Sequence, residues 1–98
     1  MPTITLTLPA ALGSSSAVDA TALGPERQFT WNPSSAEDRV VLESSANAAS
    51  GNNWAPLVTL DAQKRAWCAT DLSCHYRLTR IKGAGTGGIV QVFGLALD

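Results

Sequence analysis

The side chains in this chain best suited to chemistry are Cys68, Cys74 and His75, and their spacing argues against catalysis. His75 is the sole histidine. It follows Cys74 directly, and neighbours along a strand point to opposite faces, so they cannot readily act as a thiolate–imidazole pair. One His and two Cys also fall short of the usual four-ligand zinc site. Two thiols are too few for a disulfide framework. They could bridge a local turn in an oxidising medium if their geometry allowed; otherwise they are small apolar fillers that stay reduced in a cytosol. Glu37 and Asp38 adjoin in a loop and could bind a cation or cap a turn. Glycosidase chemistry needs two carboxylates spaced on one rigid frame, and Glu43, Asp61 and Asp71 show no such pairing. All five acids read as solvated surface. With no nucleophile–base pair and no metal set, the chain reads as non-enzymatic, with no catalytic or metal-binding residue.

Two further patterns need weighing. Gly83-Ala84-Gly85-Thr86-Gly87-Gly88 fits the G-x-G-x-x-G fingerprint. That motif cradles a pyrophosphate only between a strand and a helix. Here a β-rich apolar run follows, so the glycines are expected to supply positive φ in a hairpin turn, and no cofactor is expected. The three tryptophans are many for a short chain. Exposed, they could stack on sugar rings or anchor an interface. Trp54 opens a strand after a polar turn and is expected to pack against an opposite sheet. If it or Trp31 faced a sugar instead, Asn52, Asn53 or Arg77 would supply the polar contacts.

The elements that must position these residues are short strands. Thr3–Leu8 alternates, with Ile4, Leu6 and Leu8 on one side and threonines on the other, which is the pattern of a half-buried strand. Pro9 ends it. Ala10–Gly24 is an Ala/Ser-rich connector, irregular or holding one helical turn near Ala17–Leu23, and long enough to carry the first strand onto a neighbour. Further strands are expected at Glu26–Trp31, Arg39–Ser45, Trp54–Leu60, Lys64–Ala69, Cys74–Lys82 and Gly88–Leu97. In Cys74–Lys82, Tyr76 and Leu78 share one face while Arg77 and Thr79 share the other. Ile81 breaks the alternation, so a bulge near Arg80 is expected. The last strand is apolar on both faces, with Ile89, Phe93, Leu95 and Leu97 against Val90, Val92 and Ala96. Antiparallel strands usually keep one polar face, so its second face needs a cover from the N-terminal strand, the other sheet or another subunit. Strands at this spacing without a convincing long helix predict an all-β antiparallel sandwich, jelly-roll-like, with an N-terminal strand or arm. The expected division is residues 1–24 as strand and connector and 25–98 as the sandwich.

Composition limits the function. Ninety-eight residues make one domain. Charged residues are 15% of the chain and the net charge is −1. There is no basic stripe to track phosphates, so nucleic acid is not an expected partner. No apolar run is long enough for a membrane helix, and the N-terminus lacks the pattern of a secretory signal, so synthesis in a cytosol is expected. Low charge makes a weakly self-repelling surface, suited to packing against copies of itself.

Between Val41 and Leu95 the chain resembles β-sandwich domains frequent in structural proteins of tailed bacteriophages, themselves similar to discoidin-like, galactose-binding-like jelly rolls. The resemblance rests on VVLESSANAASGNNWAPLVTL, a strand and polar turn leading to a Trp before the next strand. An aromatic-Arg strand, YRLTRIKG, and a Gly-rich turn into an apolar strand, GTGGIVQVFGL, complete it. It covers a little over half the chain. Asn52-Asn53 stands where such domains often carry Asp-Gly, and the first 24 residues have no counterpart. The resemblance implies a small virion component, such as a capsid decoration (cement) protein made in the host cytoplasm. Such a protein would bind the major capsid protein or another virion protein as an oligomer, a trimer by preference. Ile4, Leu6, Leu8, Val90 and Val92 are the expected interface. The alternative is a carbohydrate-binding or adhesion module of a phage tail or surface appendage, using Trp31 or Trp54.

Overall fold

The structure, a computed structural model, describes residues 3–33, 35–45, 54–70, 74–83, 85 and 88–94. Its strands are β1 (Thr3–Thr7), β2 (Gly13–Ser14), β3 (Val18–Asp19), β4 (Glu26–Asn32), β5 (Arg39–Ser45), β6 (Ala55–Leu60), β7 (Ala66–Thr70), β8 (His75–Lys82) and β9 (Ile89–Gly94). No helix forms among the described residues, so the helical turn expected near Ala17–Leu23 is absent there; β3 occupies that stretch. The other expected strands lie within about two residues of their positions, and Leu95, Ala96 and Leu97 fall outside the described residues.

The strands form two antiparallel sheets. Sheet A runs β1-β9-β4-β7; sheet B runs β2-β8-β5-β6, with β3 also on β8. If β2 and β3 are counted as one broken strand, the pairs β1–β9, β2/β3–β8, β4–β7 and β5–β6 nest inside one another. The chain is a long hairpin of four strand pairs, rolled so that β9 also meets β4 and β8 also meets β5. That is the jelly roll, an all-β sandwich.

Alternation decides what enters the core. From sheet A come Leu6, Phe29, Trp31, Val90 and Val92; from sheet B come Val40, Leu42, Leu60, Tyr76 and Leu78. Phe29 lies between Trp67 and Tyr76, with centroids 5.2 and 5.3 Å away, in the tilted and edge-on arrangements aromatic rings prefer. The bulge expected near Arg80 is present. Arg39 pairs Lys82 and Val40 pairs Arg80, which leaves Ile81 without an opposite residue and exposed. A second irregularity falls at Leu57, between the pairs Leu42–Val58 and Glu43–Pro56.

Several expectations change. The expected N-terminal strand is β1, which joins the sandwich itself as the edge strand of sheet A, while β2 and β3 from the connector complete sheet B. Leu6, Leu8, Val90 and Val92 are buried inside the chain and Ile4 packs against them, so they fill the core and are not available as an interface. The inner face of β9 is covered by the other sheet, while Ile89 and Phe93 on its outer face are half-buried. The glycine-rich segment is not a hairpin turn. It carries the chain from β8 in sheet B to β9 in sheet A, with Gly83 at φ +94° and Gly85 at φ +121°, as L side chains rarely allow.

Two arginines are buried with the hydrophobic residues. Arg80, on β8, donates Nη2 to Asp38 Oδ1 at 2.5 Å, and both side chains are fully buried. Its Nη1 reaches the carbonyls of Pro9, Ala10 and Gly85 at 2.9, 3.2 and 2.9 Å. Asp38 also accepts the Ser35 N–H at 3.0 Å. Asp38 was expected on the solvated surface; only its neighbour Glu37 is there, paired with Lys82 at 3.2 Å. Arg27, on β4, donates Nε to the Gly24 carbonyl at 2.9 Å and Nη1 to the Tyr76 hydroxyl at 2.8 Å, tying the two sheets together.

Removing one partner of a buried ion pair leaves an uncompensated charge. Asp38→Ala is therefore expected to destabilise the fold by about 3–5 kcal/mol, measured by urea unfolding. Leu6→Ala is expected to cost about 2–5 kcal/mol through the cavity it leaves. Deletion of residues 1–9 removes β1 and two core leucines and should abolish the cooperative thermal transition seen by circular dichroism.

Candidate functional site

The two outer faces of the sandwich differ in chemistry. On sheet B, the outward positions hold Asp19, Arg39, Glu43, His75 and Arg77, together with Val41, Thr79 and the exposed Ile81. Glu43 Oε1 accepts Arg77 Nε at 2.8 Å and also the Thr79 hydroxyl. Ser14 and Thr79 hydroxyls lie 2.8 Å apart. Thr79 gives its one hydroxyl proton to Glu43, so Ser14 donates to Thr79. The Arg77 guanidinium lies 4.4 Å from the centre of the Trp54 ring, a favourable cation–π contact. Ser14, Thr79, Glu43, Arg77 and Trp54 thus form one linked polar network on this face, while the buried Nδ1 of His75 beside it has no hydrogen-bond partner among the described residues.

On sheet A, outward positions carry Thr3, Thr5 and Thr7 from β1; Ile89, Gln91 and Phe93 from β9; Glu26, Gln28, Thr30 and Asn32 from β4; and Ala66, Cys68 and Thr70 from β7. Among these described positions Glu26 is the single charge, and it lies at one end of its strand. The registers align Thr5, Gln91 and Thr30 across β1, β9 and β4. They also align Phe93, Gln28 and Cys68 across β9, β4 and β7. The result is a hydroxyl- and amide-bearing sheet surface with two half-buried apolar side chains, Ile89 and Phe93. A shallow depression at its edge is lined by Gln28, Cys68, Thr70 and Phe93 with Glu26, Arg27 and Ala69.

The residues singled out by sequence separate as follows. Trp31 is buried in the core and cannot stack on a ligand. Trp54 does not pack against the opposite sheet: it lies half-buried at the start of β6, with Arg77 over its ring. Arg77, one of the polar partners named for a sugar at Trp54, instead sets its guanidinium over that ring and occupies one of its faces. Asn52 and Asn53 lie outside the described residues. Trp67 packs half-buried on Phe29. Cys68 and Cys74 are both free thiols, Cys68 exposed on β7. Among the described residues no group of three His, Cys, Asp or Glu is placed to hold a metal.

Sequence reading missed the buried arginines and the uncharged face. Both had a signal: Arg27 continues the inward alternation of Phe29 and Trp31, and Arg80 that of Tyr76 and Leu78. The outward set on sheet A becomes visible only once β1, β9, β4 and β7 are known to be neighbours.

Compared with family models, curated proteins and solved structures, the chain matches none.

Two carboxylates, the exposed Asp19 and the half-buried Asp61, are held below the ordinary aspartate pKa of 3.8. Asp19 accepts the Thr21 hydroxyl and backbone N–H, and Asp61 accepts the Lys64 and Gln63 backbone N–H groups. Each contact favours the ionised form. The stabilisation is present above the unfolded-state pKa and lost as pH falls through the lower folded value. Carboxyl-carbon NMR titration should place both midpoints below 3.8, and Asp61→Asn should remove its share of the acid dependence of stability.

Proposed function

We propose that this protein is a non-enzymatic structural component that docks onto a larger protein assembly through the outer face of sheet A, acting as a capsid decoration (cement) protein of a tailed phage. The observation that carries this reading is the distribution of charge. One outer face carries several charges, with Glu43 and Arg77 paired to each other, and the other presents, among the described residues, one terminal Glu26 among threonines, glutamines, Ile89 and Phe93. Depletion of charge is the compositional mark of an interface centre, because each charged side chain there must lose its water. The fold alone does not choose a function; the phage setting comes from the likeness of the Val41–Leu95 segments to virion β-sandwich domains. Docking of this kind requires burial and shape and no reacting group. It would stabilise a shell by bridging major capsid protein subunits, with the protein present as an oligomer. Virion location follows from the same reading.

The test is co-sedimentation of the purified chain with capsid shells of the phage that encodes it. Saturable binding is expected. Gln28→Lys, at the centre of the sheet A face, should weaken it about 10-fold or more, since an unpaired desolvated charge costs at least about 1.4 kcal/mol. Arg39→Ala on sheet B should change it less than about 2-fold, as a rim or distal charge does. Absence of shell binding, or equal loss from both variants, overturns the proposal. Saturable glycan titration with quenching of tryptophan fluorescence would point instead to the carbohydrate-binding alternative.

A further inference from the structure

The edges of the two sheets are not equally protected. Exposed strand edges invite pairing with another chain, and folded proteins blunt them with short strands, prolines, bulges, charges or covering segments. In sheet B, one edge is β2 and β3, two residues each, and the other is β6, which carries Pro56 and the irregularity at Leu57. In sheet A, the β1 edge is overhung by the connector: Thr5 and Thr7 share a cleft with Ser14, Ser15 and Val18. Among the described residues, the β7 edge has none of these devices. It is a regular five-residue strand, Ala66-Trp67-Cys68-Ala69-Thr70, with no charge and no proline.

The hydrogen-bond phase of β7 is fixed by its partner. Thr30 pairs Ala66, which puts Trp31 opposite Arg65, and the Trp31 N–H donates to the Arg65 carbonyl at 2.7 Å. In an antiparallel pair, bonded and non-bonded positions alternate. Arg65, Trp67 and Ala69 therefore turn their main-chain groups toward β4. Ala66, Cys68 and Thr70 turn theirs outward, on a side where no described strand pairs.

We propose that β7 pairs antiparallel with β7 of a second copy about a twofold axis through Cys68, joining the two four-stranded A sheets into one. This specifies the oligomer of the proposed function and rests on that reading; it favours a dimer over the trimer expected from the sequence. The strand is its own complement. Centred on Cys68, the register sets Ala66 opposite Thr70 of the other copy and Cys68 opposite Cys68, and all three residues donate and accept across the axis. Small side chains meet small side chains on the outer face. On the inner face Trp67 meets Ala69, which covers the exposed remainder of its ring. No charge within the strand repels its copy, and a net charge of −1 per chain adds little long-range repulsion. A bonded antiparallel pair separates Cα atoms by about 5.5 Å, with Cβ atoms near the wide end of about 4.5–5.5 Å; that exceeds the roughly 3.5–4.5 Å of a disulfide but lies within reach of a short bifunctional thiol reagent. Cys68 thus reports the axis. A single strand pair is smaller than the interfaces of stable complexes, about 1,200 Å² or more, so the dimer should depend on concentration.

The test uses the full chain with Cys74→Ser, leaving Cys68 as the sole thiol. Under reducing conditions, light scattering over a concentration series should rise from one chain mass toward two. Added bismaleimidoethane should crosslink the two copies, each Cys68 thiol adding S and H across one maleimide C=C bond with no leaving group. Ala66→Pro removes an outward N–H and no bond to β4, which edge strands tolerate. It should keep the circular dichroism spectrum and weaken association at least about 10-fold, one lost pairing step being worth about 1.4 kcal/mol. Cys68→Lys, which sets two cations side by side, should do the same if the proline variant misfolds. A monomer at every concentration with no Cys68 crosslink overturns the pairing. So does a dimer that ignores both variants, as would arise from pairing elsewhere or with a foreign strand. Shell co-sedimentation is read separately: a monomer that still binds shells sinks the β7 pairing and leaves the docking face standing, whereas a β7 dimer that ignores shells does the reverse.

Discussion

The fold depends on one buried ion pair. Arg80 and Asp38 are taken wholly out of water, which is costly unless geometry and further hydrogen bonds compensate. The compensation comes from main chain: carbonyls of Pro9, Ala10 and Gly85 accept from Arg80, and the Ser35 N–H donates to Asp38. Those contacts gather the end of β1, the β4–β5 loop and the crossover from β8 to β9 at one place. All three segments leave or link the two sheets, so the pair fixes where the long hairpin folds over itself. Gly83 belongs to the same arrangement. A Cβ there would collide with Asp38, and its backbone sits at φ +94°, so both the space and the conformation call for glycine. Arg27 on β4 acts similarly, through the carbonyls of Leu23 and Gly24 and the hydroxyl of Tyr76, four residues before Arg80 on β8.

With the interior closed by its own contacts, the surface is free to differ between faces. Sheet B spends its charges on itself, in the Ser14–Thr79–Glu43–Arg77–Trp54 chain of contacts. Sheet A presents hydroxyls, amides and two half-buried apolar side chains, bounded by an unprotected edge at β7. Among the described residues, a face whose one charge is Glu26 at its end and an edge without blocking devices lie on the same sheet and meet at Cys68. Both make sense for a protein whose work is contact, since neither requires a reacting group and each loses little on giving up water.

Much of this was legible in the chain. Period-two alternation in Thr3–Leu8, Arg39–Ser45 and Cys74–Lys82 placed strands within about two residues of their positions, and the misfit at Ile81 announced a bulge. These are local properties, fixed by which side of a pleat each residue occupies. The same alternation held the clue to Arg27 and Arg80, whose inward positions conflict with their charge.

The sequence by itself determined the strands, their inward faces and the all-β class, because alternation acts between near neighbours. Only the tertiary structure decided which strands adjoin. It placed the expected N-terminal strand at an edge of sheet A, and made the glycine-rich segment a crossover between sheets. The apolar interface expected at Leu6 and Val90 became core. The physical reason is that Asp38 meets Arg80, and Thr5 meets Gln91, across long stretches of chain. Local pattern cannot specify such partners, and it is they that assemble both the buried ion pair and the uncharged face.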